Sequence, residues 1–203
     1  MSGRLIWYVA RSSGIVTWVL LAASVIWGLS LTTGAFGRRT RPAWILDLHR
    51  FLAGAAVIFL GIHMASISLD TYVNFGPVNL LVPFTGSWHP TAVAWGIVAM
   101  YLLVALELTS LLRTRLPLRV WRSIHYASFP LLALSTLHAL TAGTDRHAAA
   151  LRYGMLGVLA VAIGLAALRI AKSEGHDVMT AAVRTPDRRP AHRRLPASRS
   201  AAR

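Results

Sequence analysis

Four histidines lie within apolar stretches that are long enough to cross a membrane, and they are the residues of this sequence best suited to chemistry. His49 and His63 share one stretch, and His125 and His138 share another. An ionisable side chain at membrane depth is energetically unfavourable and by default marks function. A hydrogen bond between helices explains one such histidine easily, but it does not explain four in two pairs. The pattern therefore predicts a functional site inside the membrane.

The spacing of these histidines favours haem iron. His63 follows His49 by 14 residues and His138 follows His125 by 13, which are rises of about 21 Å and about 20 Å along a helix. On parallel helices, His49 then comes level with His125, and His63 with His138. Two facing imidazoles at each level suit a six-coordinate haem, whereas zinc prefers four ligands at one point. The second ring nitrogen can bond to a helix carbonyl.

One feature of the spacing leaves the geometry open. At 3.6 residues per turn, 14 residues return to within about 40° of the same face, but 13 residues leave an offset of about 140°. Pro130 lies between His125 and His138 and is predicted to kink that helix. The sequence does not decide whether the kink brings both rings to one face.

The elements that position these histidines are predicted to be membrane helices. Of 203 residues, 55% are hydrophobic and only 14% are charged, which is typical of an integral membrane protein. We expect an all-α bundle of about five transmembrane helices in residues 1–172, with a retained first span, and a disordered basic tail in residues 173–203. Arg4–Ser13 is expected to be a short interfacial lead-in. The predicted spans are Gly14–Thr33, Trp44–Ile67, Thr91–Leu112, Val120–Ala142 and Ala149–Ala171.

Charge sets the expected orientation. A net charge of +14 would suggest nucleic acid in a soluble protein, but here the arginines lie mostly in loops and the tail, so no nucleic-acid partner is expected. They follow the first, third and fifth predicted spans, which predicts an outside N-terminus and a cytoplasmic C-terminus. Arginine outnumbers lysine 20 to 1, which indicates a GC-rich bacterial genome, and the expected location is the bacterial plasma membrane. There is no cysteine, which excludes thiolate metal sites.

The histidine segments carry a family resemblance. LHRFLAGAAVIFLGIHMAS and VWRSIHYASFPLLALSTLHAL resemble the ferric-reductase-like transmembrane domain, whose members share the 14 and 13 spacings. That family includes the membrane halves of NADPH oxidases and ferric reductases. It also includes the haem-binding subunit of the bacterial periplasmic methionine sulfoxide reductase system, which is similar in size and layout. The resemblance implies that His49 with His125, and His63 with His138, each ligate one haem b.

The sequence departs from this family in two respects. Many members have six helices, and five are predicted here. The oxidases and reductases continue into a flavin and nicotinamide domain, whereas no Gly-rich dinucleotide motif occurs in this sequence, so no dehydrogenase domain is expected.

Together these features predict a membrane cytochrome b, the electron-transfer subunit of an oxidoreductase. Its donor is expected to be a cytoplasmic flavin reductase or a quinol, and its acceptor a periplasmic or extracellular redox protein. A quinone, or a flavin on the partner, would then be a further cofactor. Arg50 and Arg122 are predicted either to pair with propionates of the inner haem or simply to anchor helix ends, and Glu107 to form a buried salt bridge or relay a proton. The alternative is a metal-ion or proton transporter that uses the same histidines.

Overall fold

The fold is a bundle of α-helices. The computed structural model describes residues 3–33, 43–70, 75–143 and 148–184, with side chains as far as residue 171. These described residues contain no strand, which confirms the all-α prediction. The helices are α1 (Gly3–Thr33), α2 (Ala43–Leu69), α3 (Pro77–Leu81), α4 (Pro90–Leu111), α5 (Leu118–His125), α6 (Ser128–Ala142) and α7 (Ala149–Arg184), with a 3₁₀ turn at Arg113–Arg115.

Within the described ranges, four segments are long and apolar enough to cross a membrane, as in a multi-pass membrane protein. The predicted count was about five, and the difference lies in the predicted span Val120–Ala142, which is divided between α5 and α6. Neither of these two helices reaches spanning length by itself. The four segments are Gly3–Thr33, Ala43–Leu69, Pro90–Leu111 and Ala149–Ala171.

Pro130 explains the break between α5 and α6. A proline has no N–H to donate to the carbonyl four residues earlier, and its ring crowds that carbonyl. Here that carbonyl belongs to Tyr126, which accepts instead from the N–H of Phe129 at 3.1 Å. The regular pattern resumes when the N–H of Leu131 donates to Ala127 at 3.0 Å. The predicted kink is therefore a short turn at Tyr126 and Ala127, one helical turn before the proline.

The helical region extends beyond the predicted spans at both ends. Arg4–Ser13 is not a separate lead-in but the beginning of α1, and Ala10 and Ser13 are buried. Ser13 donates from its hydroxyl to the Val9 carbonyl at 2.6 Å, which satisfies this polar group within its own helix. At the other end, α7 continues to Arg184, beyond the predicted start of the disordered tail at residue 173. Residues 185–203 lie outside the described residues.

Helix α1 is the centre of the bundle. It packs antiparallel along α2 and also contacts α6 and α7, while α4 packs along α6. Helices α2 and α6 make almost no direct contact, so the space between their histidines is bounded mainly by their neighbours. The buried Trp18 on α1 donates its indole N–H to the hydroxyl of the buried Thr136 on α6 at 2.9 Å. This hydrogen bond fixes the position of α1 relative to α6.

Replacing Thr136 with valine is expected to destabilise the bundle. The change keeps the side-chain shape but leaves the Trp18 indole N–H buried without an acceptor, which lowers the free energy of unfolding by about 1–3 kcal/mol. Thermal unfolding of the detergent-solubilised protein measures this as a lower Tm. Thr141→Val is the matched control, because Thr141 is exposed and its hydroxyl bonds only within α6. Equal effects of the two substitutions would contradict the assigned role of the Trp18–Thr136 bond.

Candidate functional site: two histidine pairs

His49 and His125 face each other across the bundle. His49 lies near the start of α2, and His125 is the last residue of α5. Their ring centroids are 6.2 Å apart with an angle of 69° between the ring planes. Two imidazoles that bind one metal ion from opposite sides, through bonds of about 2 Å, have ring centres about 6 Å apart. This pair, which we call the inner pair because the predicted orientation places it nearer the cytoplasm, has the separation that a shared metal ion would require.

His63 and His138 form the second pair, which we call the outer pair. Both line an apolar cavity of about 310 Å³. The cavity is walled by α1, α2, α4, α6 and α7, and Phe75, Leu80 and Trp88 from the segment around α3 also line it. The structure thus brings together the same two pairs that the sequence spacing predicts. The turn before Pro130 separates His125 from His138, so that His125 lies beside His49 and His138 shares the cavity with His63 despite the 13-residue spacing.

In three of the four histidines, Nδ1 forms a hydrogen bond with a main-chain carbonyl of a neighbouring helix. His63 bonds to Ala10 at 2.7 Å, His138 to Ala92 at 2.8 Å, and His49 to Ser24 at 3.0 Å. Since a carbonyl only accepts, Nδ1 must carry the hydrogen in each ring. In the neutral imidazole, Nε2 then keeps its lone pair and can bind a metal. The neighbouring helices thereby select the tautomer whose Nε2 is able to bind a metal ion.

A glycine lies four residues after each of these carbonyls and lets the imidazole approach. A Cβ added at Gly14 would lie 2.9 Å from Cε1 of His63, and one at Gly96 would lie 2.7 Å from Nδ1 of His138. At Gly28 the distance to Cε1 of His49 would be 3.2 Å. In an α-helix a carbonyl points toward the residue four positions later, so a ring that bonds to the carbonyl lies over that residue. We call each arrangement of carbonyl and glycine a cradle.

Sequence reasoning missed the cradles, although one signal was present. Gly14 and Gly28 are 14 residues apart, the same separation as His49 and His63. On antiparallel helices of equal rise, equal separations keep both glycines level with both histidines. The repeat would have indicated that α1 is the helix against which the α2 histidines pack.

His125 lacks a cradle. Its Nδ1 is buried and has no hydrogen-bond partner among the described residues. The ring is stacked on Trp121 instead, with centroids 4.8 Å apart and planes at 24°. Two arginines flank this site, with Arg113 above the Trp121 ring at 4.9 Å and Arg169 above the Tyr126 ring at 5.4 Å. Arg169 was also missed, although an arginine inside the predicted span Ala149–Ala171 was a visible signal.

The remaining predicted residues lie at the same end of the bundle. Arg50 pairs with Asp47 at 3.5 Å, and both side chains are mostly exposed, while Arg122 on α5 is also exposed. Their role as propionate partners stays a prediction. Glu107 is half-buried on α4, and no salt bridge joins it to another described residue. His147 and the loop arginines Arg38, Arg39 and Arg41 lie outside the described residues.

Comparisons with protein-family models, with curated proteins and with solved structures found no match. The resemblance to the ferric-reductase-like family therefore stays a prediction. Among the described residues, no three His, Asp or Glu side chains converge as they would around a metal ion held by the protein alone. Each of the two levels therefore offers two histidine side chains, and not three or four protein ligands, to anything bound there.

Proposed function

We propose that this chain is a membrane cytochrome b of the ferric-reductase-like type. One haem b is held by the inner pair, His49 and His125, and a second by the outer pair, His63 and His138. The observation that carries the proposal is the orientation of the rings, since three of the four donate Nδ1–H to a helix carbonyl and keep Nε2 free for a metal. The 6.2 Å separation of the inner rings supports it further.

Haem would supply one-electron chemistry at each level, and the protein would supply position and electrostatics. The main-chain cradles hold the ligating rings without relying on flexible side chains. The two levels are about 20 Å apart along the helices, so together they reach across most of a hydrocarbon core of about 30 Å. The donor is proposed to be a cytoplasmic flavin reductase or a quinol, and the acceptor an external redox protein.

Two ligands at each level argue for haem and against zinc. A haem iron has four equatorial nitrogens of its own and needs only two from the protein. A structural zinc ion takes four protein ligands, and a catalytic one takes three, which exceeds what either pair offers among the described residues. The same deficit weighs against a metal-ion transporter, which would have to complete its coordination elsewhere.

An absorption spectrum of the purified protein, oxidised and then reduced with dithionite, tests the proposal. We expect a b-type α-band on reduction and two haems per chain by pyridine haemochrome quantitation. Expression must include adequate haem supply, with a known b-type cytochrome expressed in parallel as the control. A protein that folds but contains no haem would contradict the proposal and put the transporter alternative first.

The proposed orientation can be tested separately because the chain contains no cysteine. Ser87 and Thr114 are both exposed and lie near opposite ends of α4. If the region around α3 is external, a membrane-impermeant maleimide will label Ser87→Cys in intact cells and label Thr114→Cys only after lysis. The reverse pattern would show that the orientation derived from loop charge is wrong.

A further inference from the structure

The connection between α2 and α4 has an apolar outer side. Residues 75–88, which we call the α3 segment, comprise α3 and the turns next to it. Phe75 and Leu80 lie on the inner side and line the cavity of the outer pair. The other side exposes four large apolar side chains, each between 46% and 65% accessible: Val78, Leu81, Val82 and Phe84. An apolar patch of this kind indicates a contact with something other than water.

The sequence around the α3 segment lacks charge. No Asp, Glu, Lys or Arg occurs between Asp70 and Glu107, a stretch that includes the whole α3 segment and most of α4. A protein surface that faces water normally carries charged residues of both signs. In composition, the α3 segment therefore resembles the spans on either side of it rather than an aqueous loop.

A hydrogen bond to α4 gives the depth of the α3 segment. Tyr101 lies about 16 Å along α4 from Pro90, and its hydroxyl donates to the Leu81 carbonyl at 2.6 Å. Helical side chains lean toward the N-terminus of their helix, which shortens this depth. Tyr101 nevertheless follows Gly96, the residue of α4 that packs against His138. The α3 segment therefore lies beside α4, near the level of the outer pair, and not above the end of α4.

Side-chain hydroxyls satisfy the main chain where α3 ends. The Thr85 hydroxyl donates to the Val82 carbonyl at 2.9 Å, as Tyr101 does to the Leu81 carbonyl. The next residue, Pro83, has no N–H that would need an acceptor. Main-chain groups at membrane depth have no water to bond to, so they must find partners within the protein. The end of α3 meets this requirement at exposed positions where water alone would have been sufficient in an aqueous loop.

Phe84 adds a conformational argument. Its φ is 68°, in the left-handed region that a bulky residue rarely adopts and that costs free energy. The side chain is 65% exposed, so contacts within the protein offset little of this cost. Transfer of the aromatic ring from water into hydrocarbon would offset it.

We propose that the α3 segment is a re-entrant element, embedded in the bilayer leaflet beside the outer pair and anchored there by Tyr101. Lipid acyl chains cover its four exposed apolar side chains. This contact explains the apolar outer side, the missing charge and the hydroxyl-bonded carbonyls together. On this side, the α3 segment and lipid then separate the cavity of His63 and His138 from water. The proposal concerns the protein in its membrane and does not require haem.

Nitroxide labels test this placement, since the chain contains no cysteine. The label is attached to Val82→Cys and Phe84→Cys in liposomes, with Ile58→Cys on the exposed side of α2 as the lipid reference and Ser87→Cys as the aqueous reference. Electron paramagnetic resonance measures collisions with oxygen, which concentrates in hydrocarbon, and with a water-soluble nickel chelate. We expect the oxygen-to-chelate ratio at Val82 and Phe84 to match that at Ile58 and to exceed that at Ser87 by at least about tenfold, because hydrocarbon excludes the polar chelate.

Tyr101→Phe tests the anchor. The substitution removes the donor to the Leu81 carbonyl, which is then unsatisfied unless it reaches water. We expect the oxygen-to-chelate ratio at labelled Val82→Cys to fall toward that of Ser87→Cys. Tyr153→Phe is the matched control, because Tyr153 is an exposed tyrosine on α7, and it should leave the ratio unchanged.

Three results would count against the proposal. A ratio at Val82 and Phe84 equal to that at Ser87 would place the α3 segment in water and overturn it. Low collision rates with both reagents at both positions would show that protein, such as a second copy of this chain, covers the patch instead of lipid. An unchanged ratio at Val82 in Tyr101→Phe would overturn the role of Tyr101 as the anchor.

Discussion

Replacing His63 with alanine is expected to remove one of two haems per chain and to leave the other unchanged in its spectrum. Without His63 the haem would have only one protein ligand, and the buried partner His138 would keep an unsatisfied Nε2. His138→Ala should remove the same spectral component, because both rings line one cavity. His49→Ala and His125→Ala should remove the other. Haemochrome quantitation together with reduced spectra measures both the stoichiometry and the identity of the lost component.

Double substitutions make the pairing quantitative. Replacing both His63 and His138 should lower the haem content per chain no further than either replacement alone. Replacing both His63 and His49 should remove all haem. His89→Ala is the control, because His89 is an exposed residue before α4 and belongs to neither pair. If His63→Ala and His125→Ala instead removed the same component, the assignment of ligands to levels would be wrong.

The pairing was predictable from sequence because it depends only on helix rise and direction. Rise is nearly constant in an α-helix, so 14 and 13 residues on parallel helices place the rings at matching depths without any knowledge of packing. The direction in which a side chain points from the helix axis is a different quantity, because it rotates by about 100° with each residue. The turn at Tyr126 and Ala127 resets this direction between His125 and His138. Pro130 indicated that a break would occur, but not how far it would turn the chain.

The cradles could not be derived in the same way, because they depend on which helices become neighbours. Nothing in the α2 sequence specifies that His63 packs on Ala10 and Gly14 rather than on another helix. The sequence predicted Arg4–Ser13 to be a short interfacial lead-in, yet this segment contributes the carbonyl of the buried Ala10 that bonds to His63. The pairing of the histidines was therefore predictable from spacing. The Gly14–Gly28 repeat pointed to α1 as the neighbour of α2, but the carbonyls that orient the rings required the tertiary structure.

Replacing Gly96 with alanine is expected to destabilise the protein, although alanine is the better helix former. In an unconstrained helix, Gly→Ala stabilises by about 1 kcal/mol. At Gly96 the new Cβ would lie 2.7 Å from Nδ1 and 2.8 Å from Cε1 of His138, so the ring must leave the Ala92 carbonyl. Overpacking of this kind typically costs about 1–3 kcal/mol. Loss of the hydrogen bond between His138 and Ala92 adds to this cost. Gly96→Ala should therefore lower the free energy of unfolding, whereas helix propensity alone would raise it.

Gly54→Ala and Gly157→Ala provide matched controls, because an added Cβ at either position meets no atom within 4 Å. Both controls should leave Tm unchanged or raise it, while Gly96→Ala should lower it. This comparison can be made on protein without bound haem, so it tests the cradle independently of the cofactor. In haem-loaded protein, Gly96→Ala should also weaken retention of the haem at His63 and His138 more than of the other. A Tm for Gly96→Ala equal to that of the controls would mean that His138 can move at no cost, and the cradle would then not be what orients its Nε2.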